Sequence, residues 1–372
     1  MKLDLSENLK IHSPGYVIEI YQDGKMEELT IGNQQVLPDI IPVTKDTYYD
    51  IASDTKTYTA VLVYKAYEDG VLDINETVYN TDNNFINLKD VTILDLLGHH
   101  QDIWTDGYLG NARSKEEFYK ILYTAYVKEK EVTYVDAHYI ILSTILEHLY
   151  HKDFEELLKE YILIPLNLTH TTFNPDPRYT ASNNYEHTRD GIVDYITPGL
   201  IHDTKGRIAA SFGIKTGHAS LFTTGLDLLM FLKSFLDNSI LKKETISIML
   251  EHLDINKINY EFLKKYSKSN DINIMYNDYL KTKPTKIFPL TFNNMSTRYK
   301  NKIKILNDVP YICSDNTISF SGYTGPMYTI DFDNKIIVVI MCNVMHNTKL
   351  NRQERKIKTI EIMNTIFNKL LK

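Results

Sequence analysis

The chain has 372 residues, 43% of them hydrophobic and 24% charged, and a formal net charge of −7 with acidic and basic residues interspersed throughout. That length buries a real core, as one large domain or two smaller ones, and the composition is ordinary for a folded globular protein. The charge pattern excludes a nucleic-acid binder built on a basic patch, and two cysteines, Cys313 and Cys342, exclude a disulfide scaffold and any cysteine-ligated metal.

No apolar run reaches the ~18 residues that span a membrane, so no transmembrane segment is expected. The opening MKLDLSENLKIHSPG has no continuous apolar h-region. The expectation is a cytoplasmic protein, or an exported one whose leader lies outside this sequence.

In chain order, residues 15–32 read as a β-hairpin. GYVIEIYQ is rich in β-branched and aromatic residues, Asp23-Gly24 is a turn signal and KMEELTIG alternates back. The segments that follow show helical spacing: TKTYTAVLVYKAYEDG, TILDLLGHH, SKEEFYKILYTAYVKE, AHYIILSTILEHLY, KDFEELLKEYIL and LDLLMFLKSFLDN. Residues 251–310 are polar and tyrosine-rich with weak periodicity, and give no sharp expectation. A second hairpin follows: PMYTIDF, a turn at Asp333-Asn334, and KIIVVIMCN, whose continuous apolar run predicts burial on both faces. Residues 351–371 predict a final helix with Ile357, Ile360, Ile362, Ile366 and Leu370 on one side. Strands at both termini with helices between them predict an α+β fold. Its antiparallel sheet is formed by the N- and C-terminal strands and flanked by helices, with an inserted, mainly helical subdomain. One catalytic domain over 1–372 is expected, its α/β part roughly 1–65 and 300–372 and its helical part roughly 66–299.

The stretch DIASDTKTYT places Ser53 and Lys56 three apart at the start of a helical run. Positions i and i+3 share a helix face, so the Lys56 amine lies within reach of the Ser53 hydroxyl. Amides at a helix N-terminus favour negative charge developing on that oxygen. A serine hydroxyl needs an adjacent base to attack, and a poorly solvated lysine is one candidate. The same spacing also fits a capping serine and a solvated lysine, so the pair is not decisive alone.

The surrounding chain is. YYDIASDTKTYTAVLVYKAYEDGVLDINETV resembles the opening of the serine β-lactamase and penicillin-binding-protein superfamily, and most of all its class C-like esterase and D-alanyl peptidase branch. VTILDLLGHH, YVDAHYIILSTILE, YILIPLNLTHTTF, GLIHDTKG, TGHASLFTTGLDLLMF and GYTGPMYTIDFDNKIIVVIMCNVMH are similar to further family segments, in family order, over nearly the whole chain. The resemblance implies a β-lactamase-like fold and a serine hydrolase that forms an acyl-enzyme, with no cofactor and no metal. Its partner would be a small-molecule ester or amide, and the oligomeric state stays open.

Tyr134-Val135-Asp136 occupies the place of the family's Tyr-x-Asn. A phenol beside an ammonium ion loses its proton more easily, so Tyr134 is expected to share the base role with Lys56. Asp136, a carboxylate in place of an amide, should hold Lys56 protonated and shift that role toward Tyr134.

For the third motif, Lys215-Thr216-Gly217 spells a familiar triad but precedes a helix, not the last strands. In TISFSGYTGPMYTID two registers compete. Tyr323-Thr324-Gly325 would put Pro326, which has no N–H, at the oxyanion position. Phe320-Ser321-Gly322 leaves that amide to Tyr323. The second register is preferred, with the N–H groups of Ser53 and Tyr323 as the oxyanion hole and Asp136, Phe320, Ser321 and Gly322 lining the site. Phe320 then stands where the family carries a lysine or histidine. That disfavours substrates recognised by a carboxylate and favours a neutral or differently charged ester or amide. Two alternatives follow: a catalytically weakened or inactive binding or sensor module, and a D-amino-acid peptidase or transferase acting on cell-wall material, which requires export.

Of the remaining candidates, His99-His100-x-Asp102 is expected to be structural, since adjacent histidines on a helix point apart. His202-Asp203 and His218 are expected to brace loops near the site, and Trp104 to pack.

Overall fold

The computed structural model describes residues 12–130, 133–183, 186–187, 193–194, 198–250, 268–269, 309–310, 312–314, 316–346 and 350–372. The segment 251–310, left open above, lies almost wholly outside them. A six-stranded sheet is assembled from both ends of the chain. Strands β1 (Gly15–Gln22), β2 (Lys25–Gln35) and β3 (Ile41–Pro42) come from the N-terminal part. Strands β4 (Thr317–Ser321), β5 (Met327–Asp331) and β6 (Ile336–Cys342) come from the C-terminal part. The order is β4-β5-β6-β1-β2-β3. The join is the antiparallel pair β1–β6, in register from Tyr16 opposite Cys342 to Gln22 opposite Ile336. The first hairpin closes through Asp23 (φ 51°) and Gly24 (φ 79°). This is the left-handed pair of conformations that a two-residue turn with strand-like twist requires.

Every residue of β6 is buried, because helices cover both faces of the sheet. Its Ile336, Val338, Ile340 and Cys342 join Tyr16, Ile18 and Ile20 beneath helix α5 (Arg352–Leu370), which contributes Ile362, Met363, Ile366 and Phe367. The alternate residues Ile337, Val339 and Met341 join Val17, Ile318, Phe320, Tyr328 and Ile330 in a larger core. That core includes helices α1 (Thr55–Glu68), α2 (Ala137–Tyr150) and α4 (Gly225–Leu236). Full burial of each such aliphatic side chain stabilises by about 1.5–3 kcal/mol. A shorter helix, α3 (Thr204–Ser211), starts beside the site, with Asp203 capping it by accepting from the Gly206 N–H.

Three expectations are corrected here. YVKE does not continue the preceding helix, which ends at Leu122; Tyr126–Glu129 instead pairs antiparallel with Asp102–Trp104. Ile357 is 47% exposed, because the buried stripe of α5 runs through Ile360, Ile362, Met363, Ile366 and Phe367. Trp104 is also 47% exposed; its indole N–H donates to Asp102, and Lys128 sits over its ring. Among the described residues no helix is long and apolar enough to cross a membrane.

Candidate active site

The Ser53 turn is held from three sides before α1 begins. Ser53 lies on a 3₁₀ turn, Ala52–Asp54, that feeds directly into the helix. Ala52 has φ 43°, a left-handed conformation that costs about 1 kcal/mol or more for a residue with a Cβ. Neighbours fix it there. The Asp50 carboxylate accepts from the Ala52 N–H and the His202 N–H, both at 2.8 Å. The Ile51 N–H donates to the Leu221 carbonyl, and the Thr324 hydroxyl donates to the Asp50 carbonyl at 2.6 Å. Gly322 presses on the same turn: a Cβ placed there would lie 2.3 Å from the Ile51 carbonyl oxygen. The β4–β5 connection therefore sits, through Gly322 and Thr324, against the turn that carries Ser53.

Tyr134 approaches from the loop that precedes α2, and its hydroxyl donates to Ser53 Oγ at 2.7 Å. Lys56, one helical turn beyond Ser53, donates to the same oxygen at 3.3 Å, to Asp136 Oδ1 at 2.9 Å and to the His218 carbonyl at 2.9 Å. An ammonium has three N–H donors and no lone pair; here all three are used. Burial alone pulls the Lys56 amine down, but the Asp136 carboxylate and Tyr134 outweigh it, and the net displacement is upward. Asp136 itself is held well below the usual carboxylate range: burial opposes its ionisation, and Lys56, His218 and Lys205 more than compensate.

The expected easing of the Tyr134 proton is corrected. Burial raises that phenol and Asp136 raises it further; Lys56 pulls it back only in part, and the net direction is up. In the resting site the phenol is protonated and the amine charged. Both donate to Ser53 Oγ, an arrangement that stabilises negative charge on that oxygen.

Phe320 is 5% exposed on the face of β4 turned toward the core. It lies near the ring of Tyr328, whose hydroxyl meets Thr57 of α1 at 2.8 Å. Ser321 and Gly322 are partly exposed, and Tyr323 is 43% exposed with its ring beside His202. Lys215-Thr216-Gly217 lies outside the six-stranded sheet, as its position before a helix implied. Its Gly217 accepts from Thr59 and donates to Ser143.

His99 and His100 are not on a helix, since that helix ends at Leu97, and both are buried. His99 meets His138 nitrogen to nitrogen at 2.8 Å and packs its ring 4.6 Å from that of Tyr134. His138 also contacts the Val135 and Gln101 carbonyls, which ties down the loop carrying Tyr134. Three contributors were missed in the sequence: the His218 main-chain carbonyl, the Asp50 carboxylate and Lys205. The last bridges Asp136 and Asp203 at 3.0 Å each.

With that geometry in place, the relationships of the chain are informative. The family model described as Beta-lactamase matches residues 5–359. A Salmonella gallinarum protein that bears the name "Putative D-alanyl-D-alanine carboxypeptidase" is 25% identical over 345 residues, covering 84% of this chain and 72% of its own length. Among solved structures, EstCE1, titled a hydrolase with promiscuous acyltransferase activity, superposes with a TM-score of 0.68 at 15% identity, covering 95% of each chain. The octameric penicillin-binding protein homologue from Pyrococcus abyssi gives 0.67 at 19% identity, covering 98% of this chain and 76% of the other. The chain belongs to the beta-lactamase family and is a serine hydrolase with that family's fold.

Proposed function

We propose that the protein hydrolyses a small ester or amide through an acyl-enzyme on Ser53. One observation carries this: a single, partly exposed hydroxyl oxygen receives the Tyr134 phenol at 2.7 Å and the Lys56 ammonium at 3.3 Å. In the reactive form the Ser53–Tyr134 pair has given up one proton, so the two oxygens share the one that remains. As Oγ attacks the acyl carbon, that proton passes to the Tyr134 oxygen. Lys56, kept charged by Asp136, stabilises the anionic pair, and the N–H groups of Ser53 and Tyr323 receive the carbonyl oxygen as it becomes negative. The intermediate collapses, Tyr134 returns the proton to the departing alcohol or amine, and water, deprotonated by the same phenolate, releases the acid.

Phe320 supports a substrate without a carboxylate at that position. Its ring packs into the core beside Tyr328 and offers no cation to pair with a substrate carboxylate. The relatives named as carboxypeptidases favour a second reading, a peptidase or transferase on D-amino-acid material, which requires export. The test is a fluorescent phosphonate probe together with a p-nitrophenyl ester assay. Labelling and turnover that vanish in Ser53→Ala support the hydrolase. A native protein that neither labels nor turns over is a binding module of the same fold.

A further inference from the structure

Lys205 is the second residue of α3, a place where a cation opposes the helix dipole. Helix formation therefore does not explain it; its partners do. The ammonium lies 3.0 Å from Asp136 Oδ2 and 3.0 Å from Asp203 Oδ2. Asp136 Oδ1 holds Lys56 at 2.9 Å, and Asp203 Oδ1 is 2.8 Å from His218 Nε2. The groups form a chain of alternating charge, from Lys56 through Asp136 and Lys205 to Asp203, whose other oxygen meets the His218 ring. The groups facing Lys205 are Asp136 from the head of α2, Asp203 from the cap of α3, and the ring of Tyr108, 5.7 Å away.

We propose that Lys205 is a positioning residue for acyl transfer: by holding the second oxygen of Asp136, it limits how strongly that carboxylate acts on Tyr134 and Lys56. The proposal rests on the assignment of Ser53 and Tyr134 above. Asp136 opposes ionisation of Tyr134 and holds the proton on Lys56. One of its two oxygens is held by Lys205, whose charge offsets that influence. Without the ammonium, the carboxylates of Asp136 and Asp203 would confront each other, with oxygens within 4.8 Å. Their combined charge would bear on the phenol, and the anionic Ser53–Tyr134 pair would form only at higher pH.

The experiment is the pH dependence of Ser53 acylation by a fluorescent phosphonate, resolved into probe affinity and acylation rate. Lys205→Met should move the alkaline rise upward by about one pH unit, lowering the rate at fixed neutral pH about tenfold, with probe affinity unchanged. Lys205→Arg should restore the profile. In an Asp136→Asn background Lys205→Met should shift the profile far less, because the carboxylate through which it mainly acts is gone and only Asp203 is left uncompensated. Should Lys205→Met not fold, Lys205→Gln is read the same way. A folded variant that loses rate at every pH with its profile unmoved, or a shift that persists undiminished in the Asp136→Asn background, overturns the proposal. A wild-type protein that is not labelled at Ser53 overturns the acyl-enzyme assignment and this proposal together; labelling with an unmoved Lys205→Met profile overturns this one alone.

Discussion

Lys56 and Asp136 form an ion pair of 2.9 Å in which the lysine is 2% exposed and the carboxylate 28%. The lysine is the buried, committed partner. Replacing Asp136 by Asn would leave its charge uncompensated, and breaking a buried pair in this way typically costs about 3–5 kcal/mol. The amine would then respond to burial and fall below its unfolded value. The unfolded chain would bind the proton that the folded chain gives up, so the stability of Asp136→Asn should rise with pH. Chemical denaturation at pH 6 and pH 9 checks this: the deficit relative to wild type should be larger at pH 6. The variant should also show acylation rising at lower pH than wild type, since Lys56 becomes able to accept a proton.

Tyr134→Phe removes the 2.7 Å partner of Ser53 Oγ and keeps the ring that packs on His99. Loss of a positioned proton carrier should lower acylation by about 10²–10⁴-fold, while the unfolding free energy changes by about 1 kcal/mol or less. Because the wild-type phenol is displaced upward from its ordinary value near 10, wild-type acylation should climb steadily from pH 7 to pH 10. In the variant that climb should disappear. Stopped-flow acylation across this range is the measurement.

Gly322→Ala places a methyl group against backbone, not against a side chain that could swing away. The β4–β5 connection must retreat from the Ser53 turn. The expected stability loss is about 1–3 kcal/mol, as for other overpacked sites. The rate loss should be greater, about 100–1000-fold, if the Tyr323 amide is an oxyanion donor. Comparing thermal melts with ester turnover separates the two.

Asp50 is buried, and burial pushes its carboxyl up to about 6 although the His202 and Ala52 amides pull part of the way back. Between the ordinary carboxylate range and pH 6 the folded protein binds a proton that the unfolded chain has released. Its contribution to stability is therefore full at low pH and lost as pH rises through 6. Asp50→Asn lacks this dependence. The difference in unfolding free energy between wild type and variant should change by up to about 3 kcal/mol between pH 4 and pH 7. A constant offset across that window would refute the assignment.

The two hairpins and the doubly covered strand β6 were legible because each rests on a local signal, turn residues or an unbroken apolar run; Ser53 and Lys56 carried an i, i+3 spacing, but only the family resemblance singled out that pair and joined Tyr134 to it. Asp136 was legible as the keeper of the Lys56 proton because charge complementarity needs no coordinates once two residues are placed together. The direction of the Tyr134 displacement was not, since it depends on how much water remains around the ring. Asp50 lay in plain sight three residues before the nucleophile, but its function runs through two backbone N–H groups, one from His202 far along the chain. The His218 carbonyl has no side-chain signature at all. Lys205 sat in a segment already read as a loop brace; an ammonium on a helix's first turn was the available clue.

The pairing of Tyr16 with Cys342 imposes an order on synthesis. The first hairpin is made long before the strand that becomes its central neighbour. In the meantime one long side of β1 offers unpaired amides and carbonyls to anything nearby. The turn bearing the nucleophile meets Gly322 and Thr324 only at the same late moment. A truncated product ending before residue 317 would therefore carry every reactive side chain of the proposed site and still lack the support that aims them.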